Sequence, residues 1–465
     1  MRSLTLFFSF ILVTTNIQAD TVSTIHFQRT LDIYRAIIAV DTSKTKNNTI
    51  LLAEYLAGQL EDAGFSSDLI NVISLNGFGS LVVRYPAKKA IHRPMLLLGH
   101  LDVVEAFDED WVRPPFTLTE DGTNYYARGA IDNKFGVAQL VSTFIRLKEE
   151  EFVPNREIFL VFSGDEETYM RTTRMLANEL PELRNAEFAL NSDSGGGELD
   201  GAGKPLLYTL QAAEKTYATW EITVRNPGGH SSRPRLDNAI YELSDAIKAI
   251  QNFRFPVMWT EMTLSYFENM GRRLDGPVGN AMRSFALDPN NEKASKRLFR
   301  EPSYVGTTRT TCVVTMLRAG HAENALPQSA TATINCRIFP GILASLVEKK
   351  LISVVANPNI EFRLLDEVVE SPISELRPDV VRAVSRAVHD RYPGLQIIPT
   401  MESGATDGAH FRKAGIPTFG VGSIFMNPDE SFAHGLNERV PIKAFKDALD
   451  HWSIIIRDLA SSIEP

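Results

Sequence analysis

Long apolar runs are scarce in this sequence of 465 residues. After the first residues, no stretch reaches the roughly 20 apolar residues needed to cross a bilayer, so stable membrane insertion is not expected. Basic residues are also in deficit. Lys and Arg number 48 against 57 Asp and Glu, the net charge is −9, and no basic stripe occurs, so nucleic acid is not an expected partner. Only two cysteines occur, Cys312 and Cys336, and neither has the histidine context of a nucleophile. Both fall in expected strands of one segment, so they could pair in an oxidising compartment. Two buried free thiols remain the alternative. There is no internal repeat and no low-complexity segment.

The chain is long enough for two or three domains with full cores, and its hydrophobic and charged fractions are those of a soluble globular protein. Its start resembles an export signal: Arg2, then a short apolar run from Leu4 to Val13, then Ile17-Gln18-Ala19 with a small residue at the cleavage position. Residues 1–19 are therefore expected to be removed, with the mature chain starting near Asp20 in the periplasm or outside the cell. A membrane anchor or a buried first helix is the alternative.

The stretch Met95-Leu96-Leu97-Leu98-Gly99-His100-Leu101-Asp102 organises the rest. It reads as a buried strand that ends in a histidine and an aspartate two residues apart, on one side of an extended chain. Open α/β sheets bind ligands at such strand ends. Glu157 to Phe162 repeats the pattern and ends in Asp165-Glu166-Glu167. Phe188 to Asn191 does so again and ends in Asp193. The periodicity predicts helices over 48–64, 134–150, 238–251, 345–355, 378–391, 406–414 and 441–463. Near Lys215 the pattern changes to a half-exposed strand at 217–224, followed by strands at 310–317, 331–339 and 360–365, an α+β segment inserted into an α/β domain that resumes near Ser371. Residues 253–308 show no clear pattern.

The residues gathered at these ends are His100, Asp102, Asp132, Glu166, Glu167, Asp193 and, from a later loop, His434. An imidazole and carboxylate set without thiolate suits zinc, and less exclusively cobalt or manganese. Five ligands, one of them bridging, fit a paired-metal hydrolytic centre. Adjacent acids can divide the work, one binding metal while the other stays free as a base for a metal-activated water. Singly, a His-x-Asp is more often structural, a Glu-Glu pair is usually a solvated face, and Asp193 before glycines could be a turn. Only their joint recurrence at strand ends favours a metal site.

The motifs Gly99-His100-Leu101-Asp102-Val103-Val104, Trp111 with Pro115-Phe116, Arg128-Gly129-Ala130-Ile131-Asp132-Asn133-Lys134 and Asp165-Glu166-Glu167, in this order, resemble the aminoacylase and carboxypeptidase S family of dinuclear zinc exopeptidases, which also includes desuccinylases and dipeptidases. The resemblance implies a three-layer α/β/α catalytic domain in two parts, 20–214 and 369–465, with an α+β lid of dimerisation type at 215–368. It implies that His100 and Asp193 hold one metal and Glu167 and His434 the other. Asp132 bridges them, a cis peptide follows Asp132, Asp102 orients His100, and Glu166 is the general base. In the lid, His230 of Gly228-Gly229-His230-Ser231-Ser232 matches an oxyanion-stabilising histidine, often supplied by a partner subunit. Asn324 and Arg337 match positions that hold the substrate carboxylate, and Gly404 a substrate-contacting loop. The residue usually proline after Asp102-Val103-Val104 is Glu105 here.

The resulting expectation is hydrolysis of an amide or peptide bond beside a free carboxylate, in a small peptide or an N-acyl amino acid, by a chain able to form a homodimer through the lid. The alternative is a peptide-binding protein that keeps the fold without catalysis, although binding alone needs no free base such as Glu166.

Overall fold

The computed structural model describes residues 12–365, 367–427, 430 and 432–461. The charged start and most of the apolar run of the expected export signal lie outside the described residues. From Leu12 to Ile38 the chain is one helix, which spans the expected cleavage point.

Met95–His100 is buried at all six positions and lies parallel to both Ile158–Ser163 and Phe188–Asn191. Its side chains alternate. Met95 and Leu97 enter a core shared with the helices Thr49–Asp62, Lys134–Glu149, Pro378–Arg391 and His451–Ala460. Leu96 and Leu98 enter a second core with Met175, Leu176 and Phe411 on the opposite face. Burial on both faces explains the unbroken apolar runs. It also gives three layers, with helices on both sides of a mixed sheet of ten described strands. The sheet runs Ile70–Leu75, Phe78–Tyr85, Ile158–Ser163, Met95–His100, Phe188–Asn191, Thr418–Gly420, Pro205–Glu214, Gly196–Leu199 and Phe425–Met426. Ile397–Glu402 pairs with Pro205–Glu214.

The inserted segment has its own antiparallel sheet, ordered Thr311–Ala319, Ser329–Ile338, Thr216–Arg225 and Ile360–Leu364. Inward residues such as Trp220, Ile222, Val224 and Ile334 pack under the helices Ala239–Asn252 and Ala344–Val355. Cys312 and Cys336 are register partners across adjacent strands and form a disulfide, so the pairing reading holds over the free-thiol one.

Two expectations need revision. Residues 253–308, left without a pattern, form the helices Glu261–Gly271, Gly276–Leu287, Glu292–Leu298 and Pro302–Val305. Their core includes Leu207 and Ile398 of the large sheet, so they pack on that sheet rather than under the inserted segment's own sheet. The single helix expected over 441–463 is two, Ile442–Asp447 and His451–Ala460. The break lets the buried His451 ring reach the Val421 carbonyl at 3.0 Å and accept from Arg391 at 2.9 Å.

One buried histidine gives a testable pH dependence. His410, on Gly408–Lys413, is 6 % exposed. Burial, then Lys413 and Arg174, lower its pKa from 6.5 to about 4. The folded state therefore binds fewer protons than the unfolded chain between these values. The stabilisation is complete above pH 6.5 and is lost as pH falls towards 4, by up to about 3 kcal/mol. In chelator-treated protein, His410→Gln should flatten the pH dependence of unfolding free energy over that window. An unchanged slope would show that His410 does not titrate this way.

Candidate metal centre

The strand register sets the site. His100 lies opposite Ser163 where the two parallel strands end, and Asp165, Glu166 and Glu167 follow directly. The three acids then divide. The Asp165 carboxylate turns inward and accepts the Arg171 N–H at 2.9 Å, the Thr172 N–H at 2.8 Å and the Thr172 hydroxyl. Glu166 and Glu167 donate their backbone N–H groups to Asp102, at 3.0 Å to Oδ1 and 2.9 Å to Oδ2. The Asp102 carboxylate thus fixes where both glutamates start. His100 Nδ1 lies 3.0 Å from the Asp102 main-chain carbonyl and 3.6 Å from its Oδ1, so Asp102 also orients the imidazole.

The free imidazole edge faces acids. His100 Nε2 is 2.9 Å from Asp132 Oδ1 and 3.4 Å from Asp193 Oδ1. His434 Nε2 is 3.0 Å from Asp132 Oδ2 and 2.8 Å from Glu167 Oε1. Two three-residue groups result, His100–Asp132–Asp193 and Asp132–Glu167–His434. They share Asp132, which turns one oxygen to each. A third group, His100–Glu166–Glu167, places Glu166 against both. The peptide bond from Asp132 to Asn133 is cis.

The electrostatics suit a cation. Burial, followed by the charge of Asp132, raises the Glu167 carboxyl to about 7. Burial raises Asp193 to about 6 and holds Glu166 well above its usual range. The bonds to Asp132 and Glu167 lift His434 to about 10. For His100, burial opposes the charge of Asp193 and the bonds to Asp102, Asp132 and Asp193, and the acids prevail. Buried acids crowded around two imidazoles, with nitrogen and oxygen donors and no thiolate, form a donor set that fits paired divalent cations.

The other expected residues are distributed differently. Arg337, on Ser329–Ile338, lies 4.7 Å over the Tyr217 ring, and the charges of Tyr217, Glu166 and Glu214 act on it against its burial. Gly404 lies in the exposed loop after Ile397–Glu402, with nothing within 4 Å of where a Cβ would stand. His230 and Asn324 share a short ribbon, in which the Ser231 N–H donates to the Asn324 carbonyl at 2.9 Å. The His230 ring is exposed and bonded to the Ser232 N–H and hydroxyl. Among the described residues, no hydrogen bond or ion pair joins it to the acid and imidazole cluster.

Glu438 was not anticipated. It is fully buried, pairs with Arg128 Nη1 at 2.7 Å, and accepts the N–H groups of Gly129, Ile131 and Asp132 at 3.1, 2.7 and 3.1 Å. Arg128 Nη2 in turn donates to the carbonyls of His434 and Gly435 at 3.3 and 3.2 Å. The only sequence signal was an acid four residues after His434. Asp407 was also unassigned. It is buried and accepts the hydroxyls of Ser163 at 2.9 Å and Thr173 at 2.5 Å, behind the centre.

The sequence model of Peptidase family M20/M25/M40 matches residues 96–458. A probable carboxypeptidase S-like protein of Dictyostelium discoideum is 27% identical over 391 residues, 82% of this chain and 74% of that protein. An N-fatty-acyl-amino acid synthase/hydrolase of Xenopus tropicalis is 26% identical over 432 residues, 91% of this chain and 83% of that protein. Among solved structures, an M20 family metallo-carboxypeptidase from Sulfolobus solfataricus superposes with a TM-score of 0.69 at 20% identity, covering 92% of this chain and 98% of that one.

Proposed function

This chain belongs to peptidase family M20/M25/M40, a family of metal-dependent hydrolases, and we propose from that premise that it cleaves an amide or peptide bond beside a free carboxylate, in a short peptide or an N-acyl amino acid. The observation that carries this reading is the divided Asp132 carboxylate, with one oxygen towards His100 and the other towards His434, and Glu166 against the same cluster. His100, Asp132 and Asp193 would hold one cation and Asp132, Glu167 and His434 the other. We assign zinc, because imidazole and carboxylate donors suit it. The bound ions would polarise the scissile carbonyl and lower the pKa of water towards about 7.

The chain's own groups do the rest. A Glu166 carboxylate oxygen accepts the proton of the attacking water and returns it to the nitrogen of the leaving amine. The Arg337 guanidinium meets the substrate carboxylate with two parallel N–H···O bonds, beside Asn324 and the Gly404 loop. His230 stabilises the developing oxyanion from a second copy of the chain. The lid's edge strand Thr311–Ala319 offers that copy a surface of exposed Val313, Met316 and Leu317. The cross-strand disulfide supports export to an oxidising compartment.

The deciding experiment compares dipeptides and N-acyl amino acids with their C-terminal amides, on zinc-loaded and chelator-treated protein. Cleavage restricted to free carboxylates, lost with chelator and restored by zinc, is the expected result. Equal cleavage of the amides would remove Arg337 from its role. No cleavage by zinc-loaded protein would favour a binding protein.

A further inference from the structure

Outside the metal centre, a cavity of about 570 Å³ lies between the edge of the large sheet and the helices of residues 253–308. Its floor comes from Gly196–Leu199, Pro205–Glu214 and Ile397–Glu402, its roof from Glu261–Gly271 and Pro302–Val305. One side is Ser403, next to Gly404. The lining strand Gly196–Leu199 starts three residues after the metal-ligand candidate Asp193, so the cavity adjoins the centre along the chain.

Its walls have two characters. Leu206, Met270 and Leu274 give an apolar surface suited to methylene groups. Glu198 and Glu402 add two carboxyls near enough to repel each other, and no Lys or Arg is among the described lining residues. Burial, then Glu402, raises Glu198 to about 7. The Tyr266 bond opposes this only in part. Burial, then Glu214 and Asp193, raises Glu402. An independent observation comes from Thr400. It lines the cavity and is 6 % exposed, and its buried hydroxyl has no hydrogen-bond partner. A neutral aliphatic guest would leave the Thr400 hydroxyl unsatisfied and would desolvate both carboxyls with nothing in return, which costs free energy. A protonated amine has three donors and no acceptor, the complement of two carboxyls and a hydroxyl.

We propose that this cavity binds a cationic arm of the substrate, an aliphatic chain ending in a protonated amine, carried by the acyl group or by the side chain of the amino acid. This rests on the hydrolase reading above and names its substrate class. Two matched pairs test it: N-(6-aminohexanoyl)-leucine against N-heptanoyl-leucine, and N-acetyl-lysine against N-acetyl-norleucine. In at least one pair the amine should raise kcat/KM by about tenfold or more, the scale of a hydrogen bond to a charged group. Glu198→Gln and Glu402→Gln, made singly, should each shrink that ratio towards 1. If neither pair shows a preference, or neither variant changes it, the proposal is wrong.

Direct binding separates this from failure of the hydrolase reading. By calorimetry, 6-aminohexanoate should bind more tightly than hexanoate, and Glu402→Gln should weaken it about tenfold. That result with no turnover of any substrate would keep the cavity's assignment and reject the hydrolase reading. Equal binding of the two acids, or binding indifferent to the variant, would reject the cavity's assignment.

Discussion

Glu166→Gln is expected to lower kcat by about 10²- to 10⁴-fold while leaving two metal ions bound and the fold intact. The substitution changes almost nothing but the ability to take a proton. The backbone at Glu166 is held by its N–H bond to Asp102 Oδ1, which does not involve the side chain. Neither imidazole has a hydrogen bond to the Glu166 carboxylate in this structure, so its loss leaves His100 and His434 on Asp132, Asp193 and Glu167. Burial, reinforced by Glu167 and Asp193 against His100, raises the carboxyl well above its usual range, which makes its carboxylate a stronger base than a free one. The control is Glu167→Gln, which removes one of the two carboxylates that face His434 and should lose metal together with activity. Steady-state kinetics with metal analysis tells the two apart. A Glu166→Gln enzyme within tenfold of wild type would end the general-base assignment. One lacking metal would make Glu166 a ligand instead.

Much of this cluster was legible in the sequence because its candidate ligands sit where chain periodicity changes. Met95–His100, Ile158–Ser163 and Phe188–Asn191 are buried on both faces, so each reads as an unbroken apolar run, and a polar residue at its end stands out. Pro205–Glu214 is equally central but gave no such signal. Buried Gln211 and Glu214 interrupt its apolar run, and they accept from Arg412 and Thr406, some 200 residues away. The helices of residues 253–308 were hidden by their shortness and by Pro277, Pro289 and Pro302, which end or start them and erase a sustained 3.6-residue period. Glu198 and Glu402 carry no sequence signal that sets them apart from surface acids. Only the fold brings them together over one cavity.

Glu438 shows the same limit, and it carries the second large effect. Glu438→Gln should cost about 3–5 kcal/mol of stability, because it leaves Arg128 buried and charged without its partner. The stabilising value of the intact pair is a separate matter. Burial, then the charge of Asp132, raises the Glu438 carboxyl despite the Arg128 charge and the backbone donors, so its charge is not favoured by its surroundings. What the pair secures is position. Glu438 gathers the N–H groups of the loop that ends in Asp132, and Arg128 of that loop grips the carbonyls beside His434. Each of the two loops thus holds the other, and across them Asp132 and His434 lie 3.0 Å apart. A double variant, Arg128→Met with Glu438→Leu, removes the unpaired charge and should recover part of the stability lost by the single variant. It should not recover zinc affinity, expected to fall about 10- to 100-fold as for other groups that orient ligands. Unfolding curves of chelator-treated protein and competitive zinc titrations measure the two separately. If zinc affinity returned along with stability, Glu438 would be a structural residue only. If stability returned without affinity, the bridging carboxylate depends on an acid 306 residues further along the chain.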